Sequence, residues 1–285
     1  MRFPPTCQLA TCVLLGAVVG ATSDSVLEVD LVFPRNETYE PTDRFPIVFA
    51  FQNAKLAKYL NPHIDYTIFN WANLPGNDGA DWSHDLRTVN WSSTNDPYFA
   101  YNFFSDSVLP EGQWKMTWSV GWQSCNETAF SQQLDTSAMV FNSTTRGISF
   151  TIKKSAPKVD LVSATADKTS CSGESASDLE TGVAIPINVT GKTMEVPSWV
   201  DWSGGDTCAV VASSIPTPTV DPCRVKIDSA IEASMSAAWT AKLCRGVNPP
   251  PDCPEDDRGA AQKLVVVGVS TLFAAFGALG FLLSL

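Results

Sequence analysis

Histidine is nearly absent from this sequence, and so are the short motifs that mark common catalytic and cofactor sites. His63 and His84 are the only histidines among the 285 residues, and both lie in loop-like contexts. No Gly-x-Ser-x-Gly sequence occurs, which excludes the usual nucleophile elbow of serine hydrolases, and no glycine-rich phosphate-binding loop is present. We therefore predict no catalytic residues, no bound metal and no cofactor.

Positive charge is scarce as well. The chain has 19 Lys and Arg against 30 Asp and Glu, a formal net charge of −11. Residues 22–258, which exclude the leader and the C-terminal segment described below, hold 17 basic residues against the same 30 acidic ones, or −13. No basic run exceeds Lys153-Lys154. We therefore expect neither a nucleic acid nor an anionic lipid surface as a partner.

The first residues have the pattern of a secretory signal peptide. Arg2 precedes an apolar stretch that closes on Val19-Gly20-Ala21, with compact residues at the positions that signal peptidase reads. We predict that residues 1–21 are removed on export. An uncleaved signal anchor is the alternative, but the apolar run is short for a membrane span.

The last residues predict attachment to the outside of a membrane. Residues 264–285 carry no charge and are long enough to cross a hydrocarbon core. No Lys or Arg follows them, which favours a GPI-attachment signal over a spanning helix. Gly259-Ala260-Ala261 is the candidate attachment site, with Gly259 first, although the spacer to the tail is short. A retained transmembrane helix is the alternative.

Cysteines and glycosylation sequons agree with export. Six cysteines lie outside the leader, and an even number in an exported chain predicts three disulfides. Five Asn-x-Ser/Thr sequons predict N-glycosylated surface positions. The cysteines are Cys125, Cys171, Cys208, Cys223, Cys244 and Cys253. The sequon asparagines are Asn36, Asn90, Asn126, Asn142 and Asn188.

Residues 22–156 are predicted to form an immunoglobulin-like antiparallel β-sandwich. The clearest strand is 113–123, where Trp114, Trp118 and Trp122 share one face and polar residues share the other. We therefore expect Trp118 in the core. The other strands are expected at residues 26–33, 46–52, 64–71, 98–104 and 147–153.

Residues 157–248 are predicted to form a small disulfide-bonded α+β region, followed by a Pro-rich, acidic stalk at 249–263. Residues 183–189 alternate as a strand. A helix is expected to begin at Asp221-Pro222, an acidic cap followed by a first-turn proline. Its apolar stripe either packs in the core or docks on the first domain or a partner. The stripe consists of Ile227, Ile231, Met235, Trp239 and Leu243.

The disulfide pairing is predicted from position along the chain. Cys125 is the only cysteine of the first region, so we expect it to pair with Cys171 and to join the two regions. A helix from Cys223 to Cys244 would hold those two cysteines roughly 30 Å apart, which excludes their pairing. Two arrangements remain, and the one with short loops is favoured. The favoured arrangement is Cys208–Cys223 with Cys244–Cys253. The other is Cys208–Cys244 with Cys223–Cys253.

Tryptophan is the one enrichment suited to binding. Trp82 and Trp91 lie among polar residues, where exposed ring faces can stack against sugars, and we take them as candidate binding residues. We expect Trp71 in the core. Nearby acidic residues offer the alternative of a glycosidase pair, which needs carboxylates about 5–10 Å apart. They are Asp81, Asp85, Asp96 and Glu111.

Four segments resemble a family of fungal exported proteins that carry a domain of unknown function, often with C-terminal anchors. They are residues 32–39, residues 46–53, Cys208-Ala-Val-Val-Ala and Asp221-Pro-Cys223. The resemblance implies a fungal plasma membrane or cell wall location. It implies no catalytic residues.

The sequence therefore predicts a non-enzymatic cell-surface or cell-wall glycoprotein on the extracellular face of the plasma membrane. Membrane contact is expected through the C-terminal tail, and the candidate partners are wall glycans or another surface protein. The alternative is an extracellular enzyme of unrecognised type that acts on wall polysaccharide.

Overall fold

The computed structural model describes residues 25–71, 79–166, 183–200, 204–211, 222–246, 249–251 and 253–254. The expectations about the leader at 1–21, Cys171, Gly259 and the tail at 264–285 fall outside these residues. Among the residues described, no helix is long and apolar enough to cross a membrane.

The described chain is mainly β, as the sequence predicts, and its strands form two five-stranded sheets. The strands are β1 (Val26–Phe33), β2 (Thr38–Tyr39), β3 (Phe45–Gln52), β4 (His63–Asn70), β5 (Ala80–Asp85), β6 (Tyr98–Phe104), β7 (Gly112–Cys125), β8 (Met139–Ile152), β9 (Ala184–Glu195) and β10 (Thr207–Val211). The α-helices are α1 (Glu127–Gln132), α2 (Leu161–Ala166) and α3 (Ser229–Cys244).

The first sheet has the strand order β10-β9-β1-β3-β6, and the second has the order β2-β8-β7-β4-β5. Neighbouring strands are antiparallel, except that the short β2 runs parallel to β8. Among the described strands, β6 lies at one edge of the first sheet, and β5 lies at one edge of the second.

Aromatic rings from the two sheets meet in one hydrophobic core. The ring centroids of Phe45 and Phe150 lie 5.3 Å apart, and those of Phe49 and Trp118 lie 5.4 Å apart. Trp118 is only 1 % exposed. The period-2 pattern of residues 113–123 is thus confirmed as a buried strand face, with β7 extending slightly beyond it at both ends.

Sequence reasoning missed β5 and the first half of β8. The side chains of β5 are exposed or half-buried on both sides, so the strand has no apolar alternation to reveal it. Strand β5 forms because its backbone pairs with β4, and the first half of β8 forms because its backbone pairs with β7.

The regions 22–156 and 157–248 share one sheet. Strand β9 comes from the second region, and its residues pair with β1 from Val26 opposite Asn188 to Asp30 opposite Ala184. Strand β10 then pairs with β9. The boundary at residue 156 therefore does not separate two sheets, because a strand beyond it extends the first.

Helix α3 covers the outer side of the first sheet. It begins at Ser229, seven residues after the predicted start at Pro222, because the Asp228 side chain accepts a hydrogen bond from the Ile231 N–H at 2.8 Å and caps it. Residues Pro222–Arg224 form a separate 3-10 turn. Of the predicted stripe, Ile227 and Met235 are buried, whereas Leu243 is exposed.

The disulfides correct two of the three predicted pairings. Cys125 at the end of β7 is bonded to Cys208 in β10, with Cα atoms 5.7 Å apart. The predicted pairings of Cys125 with Cys171 and of Cys208 with Cys223 are therefore wrong. Cys244 is bonded to Cys253, as favoured, and Cys223 is also disulfide-bonded. Proximity in the sequence did not predict the partner of Cys125, because the Cys125–Cys208 bond joins one sheet to the edge of the other.

Two acidic side chains are buried between the first sheet and the segment that leads into α3. Asp30 is fully buried and Glu28 nearly so. Gln52 donates hydrogen bonds to both, at 2.7 Å to Asp30 and 3.1 Å to Glu28, and Arg224 donates to Gln52. Burial, and then the negative charge of Glu28, raise the pKa of Asp30 well above its usual range.

This raised pKa gives a testable dependence of stability on pH. A carboxyl group that binds its proton more tightly in the folded state stabilises the fold below its unfolded pKa, and that contribution is lost as pH rises. Asp30→Asn removes the titration. The free energy of unfolding of the variant should therefore improve relative to wild type as the pH rises above about 4, by at most about 1.4 kcal/mol per pH unit.

Urea unfolding of both proteins at several pH values measures this difference. Asp43→Asn, at an exposed position, is the matched control for the change of charge and should follow wild type. A difference between Asp30→Asn and wild type that stays constant with pH would contradict the assignment.

Candidate functional site

The second sheet turns one side to the core and the other to the outside; we call the latter the outer face. Along β4 the side chains of Ile64, Tyr66 and Ile68 are buried. Because side chains alternate along a strand, the other residues project from the opposite side, and they are His63, Asp65, Thr67 and Phe69. The ladder register places the outward residues of β5, β7 and β8 beside them. The outer face therefore combines side chains from four strands.

Small hydroxyl side chains occupy the middle of the outer face. Thr67 lies opposite Thr117, and Asp65 lies opposite Ser119. The Thr67 hydroxyl donates a hydrogen bond of 2.6 Å to the Asp81 carboxylate. Further outward hydroxyls come from β5 and β8. They are Ser83, Ser143, Thr145 and Ser149.

Aromatic rings lie at both ends of the outer face. At one end the His63 ring stacks on Phe141, with centroids 5.6 Å and planes 20° apart, and it lies over Gly121, where a β-carbon would overlap it. At the other end the rings of Phe69 and Trp71 lie 6.3 Å apart. His63 and Phe69 are six residues apart on one strand, so the two ends are separated by roughly 20 Å.

A groove of about 420 Å³ opens beside His63. The His63 Nε2 atom lies 3.5 Å from an Asp65 carboxylate oxygen. The Asp85 carboxylate accepts hydrogen bonds of 2.8 and 2.6 Å from the Arg87 guanidinium. These bonds lower the pKa of Asp85 to about 2, so this carboxylate stays ionised.

The four acidic residues flagged in the sequence do not form one cluster. Asp81 and Asp85 share the outward side of β5, whereas Glu111 pairs with Lys154 at 3.1 Å. Asp96 accepts a hydrogen bond from the Ala54 backbone N–H at 3.4 Å. In the described ranges, no three His, Cys, Asp or Glu side chains are grouped so that they could hold a metal ion.

Comparison with known protein families identifies the family of this chain. The family model for DUF7136, a domain of unknown function, matches residues 22–253. The chain belongs to the DUF7136 family. No curated protein and no solved structure matches it. The match spans both regions distinguished in the sequence, in agreement with the shared sheet.

Of the two tryptophans predicted to bind, the DUF7136 fold exposes only one. Trp91 is 5 % exposed and packs against Phe51 and Tyr98 in the core, so its assignment as a binding residue is wrong. Trp82 is 38 % exposed and packs edge-on against Phe104, with centroids 4.7 Å apart. Polar neighbours in sequence did not distinguish these two environments.

Trp71 was expected in the core and is instead 49 % exposed. It belongs to the outer face, where the Lys115 ammonium lies 5.0 Å from its ring centroid. Phe141, the most exposed large apolar residue of this face at 59 %, was not selected from the sequence at all. Its only sequence signal is an aromatic residue among Asn, Ser and Thr in residues 141–145.

The sequon asparagines of the DUF7136 domain lie away from the outward positions of the second sheet. Asn36 and Asn90 are exposed outside it, Asn126 caps α1, and Asn188 lies in β9. Asn142 lies in β8 opposite Trp122, on the side away from Phe141 and Ser143. None of the five asparagines therefore occupies an outward position of the second sheet.

Proposed function

We propose that this DUF7136 protein is a non-enzymatic surface glycoprotein that binds an extended glycan chain on its outer face. The observation that carries the proposal is the combination of exposed aromatic rings at both ends of the face with a row of small hydroxyl groups between them. Each part suits a different portion of a sugar.

The aromatic ends suit the apolar side of a sugar ring. A pyranose presents C–H groups on its flatter sides, and these pack well against an aromatic ring that carries partial negative charge on its face. Trp71 and Phe141 are both about half exposed. Because the two ends are roughly 20 Å apart along β4, a chain of several sugars would reach both, whereas a single sugar would reach only one.

The middle of the face suits the sugar hydroxyls. Hydroxyl side chains such as Thr117 and Ser119 both donate and accept hydrogen bonds, and Asp65 and Asp81 accept them. Hydrogen-bond donors and acceptors for sugar hydroxyls are therefore available along the strands. A shallow face of this kind favours binding of a polymer over enclosure of a small substrate.

We further propose that the protein acts outside the cell, on the plasma membrane or in the wall of a fungus. The leader at 1–21, the five sequons and the uncharged tail at 264–285 support this location. The disulfides Cys125–Cys208 and Cys244–Cys253 fit an oxidising compartment. The tail would serve as the membrane attachment, through a GPI anchor at Gly259 or as a retained helix.

A second candidate is an enzyme that cleaves wall polysaccharide, because Asp65 and Asp85 lie near His63 beside the groove. The pKa of Asp85 argues against a general-acid role for this residue. A general acid must hold a proton near the working pH, and the Arg87 guanidinium keeps Asp85 ionised down to about pH 2. Release of reducing ends from a bound polysaccharide would favour the enzyme.

The test is binding of the full-length protein, solubilised in mild detergent, to an array of glycans and wall polymers. We expect Trp71→Ala to weaken binding to the preferred glycan about tenfold, since loss of one stacked ring removes about 1.4 kcal/mol. Trp71 is half exposed, so the melting temperature should change little.

Trp199→Ala is the matched control. Trp199 is 38 % exposed and packs against Phe130, away from the outer face, so its removal should leave glycan binding unchanged. Phe141→Ala should weaken binding as Trp71→Ala does. Equal glycan affinity for wild type, Trp71→Ala and Phe141→Ala would refute the proposed face, and absence of any glycan binding would refute the function.

A further inference from the structure

A second groove opens on the other side of β5, between the edge strands of the two sheets. Its volume is about 460 Å³, which lies within the range of roughly 300–1,000 Å³ typical of small-molecule sites. Strand β5 forms one wall, β6 the opposite wall, and α3 closes the groove from the outer side of the first sheet. We call this the edge groove.

Uncharged hydrogen-bonding groups form the inner end of the edge groove. The His84 ring stacks on Tyr66, with centroids 5.8 Å apart, and meets the edge of Phe49. The Asn102 side-chain amide donates a hydrogen bond of 2.6 Å to the Tyr66 hydroxyl and lies 3.5 Å from His84 Nε2. Asn102 therefore joins the two rings in one polar contact at the inner end.

His84 is neutral at ordinary pH. Burial, and then the positive charge of Lys242, lower its pKa to about 4. Burial also raises the pKa of Tyr66. The nearest carboxylate along β5, Asp85, is bonded to Arg87. The inner end of the groove thus offers hydrogen bonds without charge.

The outer end of the groove combines aromatic rings with one cation. Tyr101 of β6 and Trp239 of α3 line it, and Phe103 connects them, with ring centroids 5.9 Å from Tyr101 and 5.7 Å from Trp239. The Lys242 ammonium lies 4.9 Å from the Trp239 ring centroid. Within the described part of the chain, Lys242 forms no ion pair with a carboxylate.

Like most of the lysines that the structure describes, Lys242 therefore carries its charge outside any ion pair with a described carboxylate. A carboxylate held against Lys242 would gain a charge-assisted hydrogen bond, and a planar ring attached to it would pack against the aromatic wall. Neutral His84 and Asn102 could then bond a polar substituent at the far side of that ring. The groove therefore offers a cation for a carboxylate, aromatic rings for a planar ring, and uncharged hydrogen-bonding groups for a polar substituent of the same molecule.

We propose that the edge groove binds a small planar carboxylate, with its ring against Trp239 and Tyr101 and its carboxylate on Lys242. The residues that carry this site lie on β6, on α3 and on the side of β5 opposite the outer face, although Ser83, His84 and Asp85 line both this groove and the one beside His63.

Calorimetric titration of the full-length protein in detergent tests the proposal with benzoate, 4-hydroxybenzoate and 2-naphthoate, each paired with its uncharged amide. We expect at least one carboxylate to bind, and its amide to bind at least tenfold more weakly. Lys242→Met keeps the apolar stem and removes the charge, so it should weaken the carboxylate at least tenfold and leave the amide unchanged.

Lys58→Met is the matched control, because Lys58 also lies over an aromatic ring, 4.4 Å from the Tyr59 centroid, but outside the groove. It should leave carboxylate binding unchanged. The two histidines provide a second readout by NMR, in which the ring signal of His84 should shift on binding and that of His63 should not.

Three results would overturn the proposal: no binding of any carboxylate at millimolar concentration, equal binding of carboxylates and amides, or a shift confined to His63. Trp71→Ala should not affect carboxylate binding. Failure of the edge groove and failure of the glycan face are therefore distinguished by the ligand and by the variant.

Discussion

Replacement of both Cys125 and Cys208 by alanine is expected to lower the free energy of unfolding by about 4–5 kcal/mol, because the bond closes a long loop. The two cysteines are 83 residues apart in sequence, and in the chain-entropy model the stabilisation grows with the logarithm of loop length. The bond also holds β10, a five-residue strand whose only partner among the described strands is β9, against the end of β7.

Replacement of Cys244 and Cys253 by alanine is the matched comparison. These cysteines are only 9 residues apart, so the same relation gives about 2–3 kcal/mol. Urea unfolding of the two double variants and wild type under non-reducing conditions measures both effects. A larger loss from the short loop than from the long one would contradict the prediction.

Trp118→Ala is expected to lower the free energy of unfolding by about 3–5 kcal/mol. Trp118 is among the largest fully buried side chains and contacts Phe49 across the two sheets. Truncation would leave a cavity between the sheets that the surrounding rings cannot easily fill, since β3 and β7 are held by strands on both sides.

Trp118→Phe is the conservative control. The indole N–H of Trp118 is buried without a hydrogen-bond partner among the residues described, and an unsatisfied buried donor is itself destabilising by about 1–3 kcal/mol. Phenylalanine keeps most of the ring and removes this donor, so it should be much less harmful than alanine. A loss for Trp118→Ala no larger than that for Trp118→Phe in thermal or urea unfolding would contradict the expected cost of the larger cavity.

Local patterns in the sequence were enough to identify much of the core. Tryptophans alternate with polar residues in β7, and this spacing can only bury one side of a strand. The prediction of a mainly β fold and of a buried Trp118 followed from it. The start of α3 was predicted at the wrong residue because Asp221 and Asp228 are both acidic residues that can cap a helix. Only the packing of residues 225–227 decides between the two.

The candidate sites depended on contacts between distant segments. The outer face joins His63 with Phe141, and the edge groove joins His84 with Trp239. Nothing along the chain distinguishes buried Trp91 from exposed Trp71, because both have polar neighbours. Their burial depends on which strand lies beside them.

The sequence by itself determined the mainly β class, the buried face of β7, and the expectation of export with disulfides. These follow from side-chain alternation, cysteine count and end composition, which are properties of neighbouring residues. Only the tertiary structure decided that β9 extends the first sheet, that Cys125 pairs with Cys208, and that Phe141 and Trp71 occupy one face. Strand pairing and inter-sheet contacts join residues far apart in the chain, and many pairings satisfy the same local pattern until the whole core is packed.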